Sequence, residues 1–273
     1  MTKMKIKYIL IILLITSNVF AQTEKQTNEY FSGKHLNCET NKEAKKFFDS
    51  GIKILKLNNN LNPKFLEGNK QVFLNAIAKD SAFCDAYFFA GYTLRLQNNF
   101  RDALVYYYLA DSLSSKPSLI YKQNLAMISA SVGAVELAKT KYDEIIEHFP
   151  ESPEGFYGNA LISIMINEPK KGMISINKAI ELYKKKKLSI GPEVRFAKGI
   201  LLTQTKEYKK AEKIFSILKS KTGFRRNDNF NAYYSLCLHK IGSDNNNKKL
   251  LKLSKKYAKK VKDKAVLKEI LKN

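Results

Sequence analysis

At 273 residues with 44% hydrophobic residues, the chain carries enough apolar material for one large or two ordinary domains, which excludes wholesale disorder. With 6 Pro, 12 Gly and no Trp against abundant Leu, Ile, Lys, Ala and Glu, it favours helix over sheet or coil. The formal charge of +23 does not by itself name an anionic partner, because Lys, Asn and Ile are over-used together, as they are in AT-rich coding sequence.

The first element is an address. Lys3, Lys5 and Lys7 precede an apolar run from Tyr8 to Ile15, and Val19-Phe20-Ala21 sets small residues where a signal peptidase reads. Residues 1–21 are therefore expected to be a signal peptide cleaved before Gln22, in an exported protein, periplasmic or secreted. A spanning helix needs roughly 20 apolar residues, and this run ends at Thr16-Ser17-Asn18. Cys38 lies too far past the run, behind Asn37, to suit a lipid anchor. Cleavage leaves +20 on the mature chain, and export removes nucleic acid from the expected partners.

Residues 22–42 read as an N-terminal linker. Glu43 to Lys56 follows as a helix with Gly51 as its close-contact residue, then a loop from Asn58 to Pro63, then a second helix through Asn69, Phe73 and Ala76. From here a period of 34 to 39 residues is visible. Small residues stand at Gly91, Ala126, Ala160 and Gly199, and twelve positions later at Ala103, Ala138, Gly172 and Ala211. Four residues further on come Tyr107, Tyr142, Ile176 and Phe215, and three beyond these Ala110, Ile145, Ala179 and Leu218. The spacing predicts two antiparallel helices per unit: the glycine or alanine admits a close neighbour, and the bulky residue fills the gap. Each pair keeps an apolar face that only the next pair covers, which is the logic of a solenoid. Gln97-Asn98-Asn99, Ser131-Val132-Gly133, Asn167-Glu168-Pro169 and Thr205-Lys206-Glu207 fall between paired helices, while Pro117, Pro150, Pro153 and Pro192 fall between units. Tyr233, Leu236 and Cys237 begin a further pair. Leu250, Leu253, Tyr257, Val261 and Ile270 predict one closing amphipathic helix over 248–273.

The stretch from Ala86, AYFFAGYTLRLQNNFRDALVYYYLADS, with its aromatic, small pair, loop and A-x3-aromatic-x2-A run, resembles the tetratricopeptide repeat family, and the unit from Glu193 is nearly as close. Two units depart: Lys122 stands where the family has a large aromatic, and the unit from Pro153 has Gly172 for the small Ala and Pro169 at the start of its second helix. The resemblance covers residues 43–247. It implies an all-α fold, an α-solenoid (right-handed superhelix) of about five helix pairs plus a C-terminal capping helix, in an exported bacterial protein.

A catalytic constellation is not seen in the sequence. His35, His148 and His239 are scattered, no phosphate loop or nucleophile elbow occurs, and His35 with Cys38 makes only two ligands, so catalytic, cofactor and metal sites are not expected. Three cysteines in an exported chain leave two readings open, a Cys38–Cys84 disulfide with Cys237 as packing, or three thiols. In the family the first helices line a concave groove, and the residue after the large aromatic points into it. The resemblance thus assigns the groove to Phe88, Gln123, Tyr157, Phe196 and Tyr234, and one turn on to Tyr92, Met127, Leu161, Ile200 and Leu238. A row of aromatics suits a docked protein or peptide; the same residues also suit the core of a tightly wound array. The family's carboxylate clamp is not matched at Phe88 and Tyr92. Finally, residues 248–273 hold 11 Lys against Asp263 and Glu269, either a solvated face or a contact with anionic membrane or envelope polymer. The expected function is a non-catalytic protein–protein interaction scaffold of the cell envelope.

Overall fold

A computed structural model describes residues 30–33, 35–57 and 62–271; the expected signal peptide and its cleavage point lie outside these. Among the described residues there are fourteen helices and no strand. They are α1 (Lys42–Leu57), α2 (Pro63–Lys79), α3 (Cys84–Leu96), α4 (Phe100–Leu113), α5 (Leu119–Val132), α6 (Val135–His148) and α7 (Pro153–Met165). After these come α8 (Pro169–Lys185), α9 (Pro192–Gln204), α10 (Tyr208–Leu218), α11 (Thr222–Arg225), α12 (Asp228–Asp244), α13 (Lys248–Ala258) and α14 (Lys264–Leu271). Two compact units divide them, the first ending at Gly155 and the second beginning at Phe156. No described helix is long and apolar enough to cross a membrane.

Asparagine and proline set where helices begin. Asn41 Oδ1 accepts the Ala44 N–H at 2.9 Å, Asn227 Oδ1 that of Phe230 at 2.8 Å, and Asn247 Oδ1 those of Lys249 and Leu250 at 3.1 Å, each satisfying donors the helix leaves open. Pro63, Pro169 and Pro192 open α2, α8 and α9, where a missing N–H costs nothing. Between paired helices the chain reverses through one left-handed residue: Asn98 (φ 60°), Gly133 (90°), Asn167 (61°), Lys206 (64°) and Asn246 (52°). The next residue's N–H returns to the carbonyl five positions back each time: Asn99 to Leu94, Ala134 to Ser129, Glu168 to Ser163, Glu207 to Leu202 and Asn247 to Gly242, at 2.7 to 2.9 Å. This is the Schellman closure, repeated at each of these five reversals.

The small residues of the period are close-contact points. A Cβ on Gly51 would sit 2.6 Å from the Phe73 ring, and one on Gly91 3.1 Å from Tyr107 and 3.2 Å from the Ala103 carbonyl oxygen. One on Gly199 would meet Phe215 at 2.5 Å. Ala103, Ala126, Ala138, Ala160, Ala211, Tyr107, Tyr142 and Phe215 are all buried. Asn69, in a small-residue position, is buried as well and donates from Nδ2 to the Gly51 carbonyl at 2.7 Å, tying α2 to α1. The departure at Lys122 has a polar answer. Its ammonium pairs with Asp111 at 3.2 Å and with Glu144, while Lys141 reaches both acids at 2.8 Å, so four charges on α4, α5 and α6 replace an aromatic contact.

Three expectations change. Among the described residues six helix pairs form where about five and a capping helix were expected, because the first part of that closing helix, α13, folds back on α12 as a partner: Ser235 and Ser254 hydroxyls lie 3.1 Å apart and Tyr234 meets Tyr257 at 4.6 Å. The closing helix expected over 248–273 is broken between α13 and α14, where Asp228 accepts the Lys262 and Asp263 N–H groups at 3.0 and 2.8 Å and anchors the bend. Residues 30–33 and 35–41, within the expected linker, are packed. They lie against the first unit.

Candidate docking surface

Cys38 and Cys84 are joined by a disulfide with Cα atoms 5.8 Å apart, within the range a bridge requires. The bridge delivers residues 30–41 to the first helices of the first unit. Tyr30, only 4% exposed, stacks on Phe89 with ring centroids 5.4 Å apart and meets Phe88 edge-on at 5.3 Å and Tyr121 at 6.1 Å. Phe31 lies 4.9 Å from Tyr92 and 5.6 Å from Phe89. The turn at Gly33 (φ 72°) rests on Ile52 and Phe48 of α1, and Lys56 donates to the Ser32 carbonyl at 3.0 Å. One short segment thereby touches α1, α3 and α5.

Asp85 anchors this arrangement. Its carboxylate is fully buried and accepts from the Tyr30 phenol at 2.9 Å, the Tyr121 phenol at 2.6 Å, and the backbone N–H groups of Asn37 and Cys38 at 3.0 Å each. Four donors stand in for a counter-ion, as a buried carboxylate requires. Burial first, and next for Tyr30 the neighbouring Tyr121 and for Tyr121 the Asp85 charge, push both phenols well above their usual range, so both stay protonated donors. Cys38, Cys84 and Asp85 are the one metal-sized ligand cluster among the described residues, but the sulfurs bond each other and the carboxylate is saturated. The cluster is a staple. Nearby, Thr40 donates to Asp80 at 2.8 Å, which with backbone N–H groups holds that carboxyl below its usual value.

Most of the expected groove residues are core. Phe88, Tyr157, Leu161, Phe196, Ile200 and Tyr234 are at most 3% exposed, and Leu238 is 1% exposed. In the first unit Tyr30 and Phe31 cover Phe88. In the second, Phe224 of α11 lies 5.2 Å from Phe196, and Tyr257 covers Tyr234, whose phenol donates to Glu212 at 3.3 Å. Tyr92, Gln123 and Met127 remain half-buried. The Arg95 guanidinium stands 5.0 Å over the Tyr92 ring, and Gln123 donates to Glu154 at 3.4 Å. Cys237 is a buried thiol, pushed up to about 12 by burial and lying 3.2 Å from the Thr203 hydroxyl. Sequence reasoning missed Tyr30, Phe31, Asn37, Asp85 and Tyr121. The available signal was Asp85, an acid beside a cysteine in an otherwise apolar helix start.

No protein-family profile matches this sequence, and no curated protein matches it. Solved structures do. A tetratricopeptide repeat protein from Parabacteroides merdae superposes with a TM-score of 0.58 at 20% identity, covering 85% of this chain and 98% of that one. PilF of Pseudomonas aeruginosa gives 0.61 at 16% identity, with 83% and 96% covered. YrrB, a TPR protein, gives 0.52 at 17% identity, with 74% and 98% covered. Helix pairs, their left-handed reversals and these superpositions together show that the chain has the tetratricopeptide-repeat fold.

Proposed function

We propose that this chain is a non-catalytic protein–protein interaction scaffold of the bacterial cell envelope. The observation that carries the reading is the first-helix face of the first unit, where a buried carboxylate and a ring cluster hold a segment of polypeptide outside the helix pairs, in part by its main-chain N–H groups. A disulfide fits an exported, oxidising setting, in keeping with the signal-peptide pattern. YrrB is described as having an unusual peptide-binding site, and the shared fold makes peptide docking a natural use of this one. Phe88 and Tyr157 cannot serve as probes, since removing core aromatics unfolds the array. The test is capture of partners from the native envelope by the mature chain, oxidised and reduced with dithiothreitol, and by Tyr92→Ala with Met127→Ala under the same two conditions. These half-buried positions should lose the partner while helicity is kept. Undiminished capture by that variant rejects the face.

A second reading has its own observation. Residues 22–155 carry 16 basic and 16 acidic residues, whereas residues 156–273 carry 29 against 9. The whole net charge of the mature chain belongs to the second unit, which supports a peripheral attachment of that unit to anionic lipid or envelope polymer.

A further inference from the structure

A segment of the same chain is seated on the first-helix face of the first unit. We propose that the face built from α1, α3 and α5 is a recognition site for a peptide with two adjacent aromatic residues, and that residues 30–33 and 35–41 fill it in cis, latched by Cys38–Cys84. The proposal rests on the scaffold reading and names the partner chemistry and control of that site.

Three features separate a seated ligand from an ordinary terminal cap. A cap covers the open end of the stack and so meets the first pair, whereas residues 30–33 meet three successive first helices through Ile52, Phe88, Phe89, Tyr92 and Tyr121. Asp85 binds the main chain itself, through the consecutive N–H groups of Asn37 and Cys38 at 3.0 Å each, with a longer side-chain contact from Asn37 Nδ2 at 3.4 Å. The aromatic pair supplies the discriminating part: Tyr30 buries its ring and delivers its hydroxyl to the same carboxylate, and Phe31 stops at the half-buried Tyr92. A partner therefore needs an aromatic pair, the first a tyrosine, followed after a turn by a stretch that presents two consecutive main-chain N–H groups.

The latch makes the occupancy conditional. The segment is intramolecular in either redox state through its junction with α1, and the disulfide is a second tether that raises its effective concentration at the face further. A dithiol reductant exchanges into the bridge, giving up two electrons and becoming a cyclic disulfide, and Cys38 and Cys84 each take a proton as thiols. Without the bridge the segment keeps its contacts with Asp85, the rings, Lys56 and Asp80 and its junction with α1, and a peptide in trans can displace residues 30–33 from the rings.

The test uses the full mature chain and a fluorescein-labelled synthetic peptide of residues 28–41 with Ser in place of Cys38. Binding is read by anisotropy to the oxidised wild type and to Tyr30→Ala, Phe31→Ala, Cys38→Ser, Cys84→Ser in one chain. The quadruple variant should bind saturably and at least tenfold more tightly than the oxidised wild type, and a peptide with both aromatics changed to Ala should bind at least tenfold more weakly. A folded quadruple variant that ignores the peptide, or a wild type that binds equally well, overturns the proposal. If the quadruple variant loses its helical circular dichroism, wild type reduced with dithiothreitol takes its place, with the same tenfold gain expected and no gain counting against. Capture of the envelope partner by the same chains reads the scaffold separately: partner retained with peptide ignored refutes only the present proposal.

Discussion

Lys206 holds a left-handed conformation that three of the four equivalent reversals give to Asn and one to Gly133. A Cβ clashes there with the following backbone, and Asn bears that strain better than Lys. Lys206→Gly should raise stability by about 1 kcal/mol, read from chemical denaturation; no gain would mean that the turn has relaxed away from φ 64°. The cysteines give a second residue-scale outcome. With Cys38 bridged to Cys84 and Cys237 buried, a thiol reagent should find no reactive sulfur in the native protein and one in denaturant. Three in denaturant would end the bridge. Both features were partly legible beforehand: the loop positions and the cysteine pair stood in the sequence, but a pairing is decided only by which Cα atoms the fold brings within reach.

Between elements, two glycines make opposite predictions. Gly199 presses on the buried Phe215 ring, so Gly199→Ala should overpack α9 against α10 and cost on the order of 1–3 kcal/mol. Gly68 lies inside α2 with open space around it, so Gly68→Ala should stabilise by about 1 kcal/mol through helix propensity alone. Thermal unfolding of the two variants checks the register, and equal shifts would refute it. The charged quartet across α4, α5 and α6 gives a pH dependence. Burial acts to raise the Glu144 carboxyl, but hydrogen bonds from Lys122 and Lys141 outweigh it and hold the carboxyl below its usual value. A lowered carboxyl contributes stability that is full above the unfolded value near pH 4.3 and is lost as pH falls through the folded one. The wild type should therefore lose melting temperature on acidification below about pH 4 more steeply than Glu144→Gln. Parallel curves would remove the quartet from the account.

At the scale of the chain, charge is partitioned along the sequence and the partition coincides with the division into units. Lys252, Lys255 and Lys256 are exposed on α13 and Lys259 just past its end, while the Lys260 ammonium stands 4.3 Å over the Tyr257 ring. The mature protein is expected to sediment with anionic vesicles at low ionic strength and to come off by about 0.5 M salt, where the screening length is only a few ångströms. Changing Lys252, Lys255, Lys256 and Lys259 to Gln should weaken that attachment and leave envelope-partner capture intact. Attachment that survives high salt would point away from charge, and partner loss in the lysine variant would make the basic surface the docking site.

What the sequence determined was the period. Small residues at Gly91, Ala126, Ala160 and Gly199, answered twelve positions later, permit only helix pairs at close approach, and that local rule repeated along the chain dictates a stack whatever else is present. What only the tertiary structure decided was which side of each helix stays open. Phe88 and Tyr92 look alike in sequence, yet Tyr30 arrives from 58 positions upstream and buries one of them, while Phe224 on an inserted short helix does the same to Phe196. Exposure depends on such long-range coverings. The helical period places a residue on a face but carries no information about what the rest of the chain lays over it.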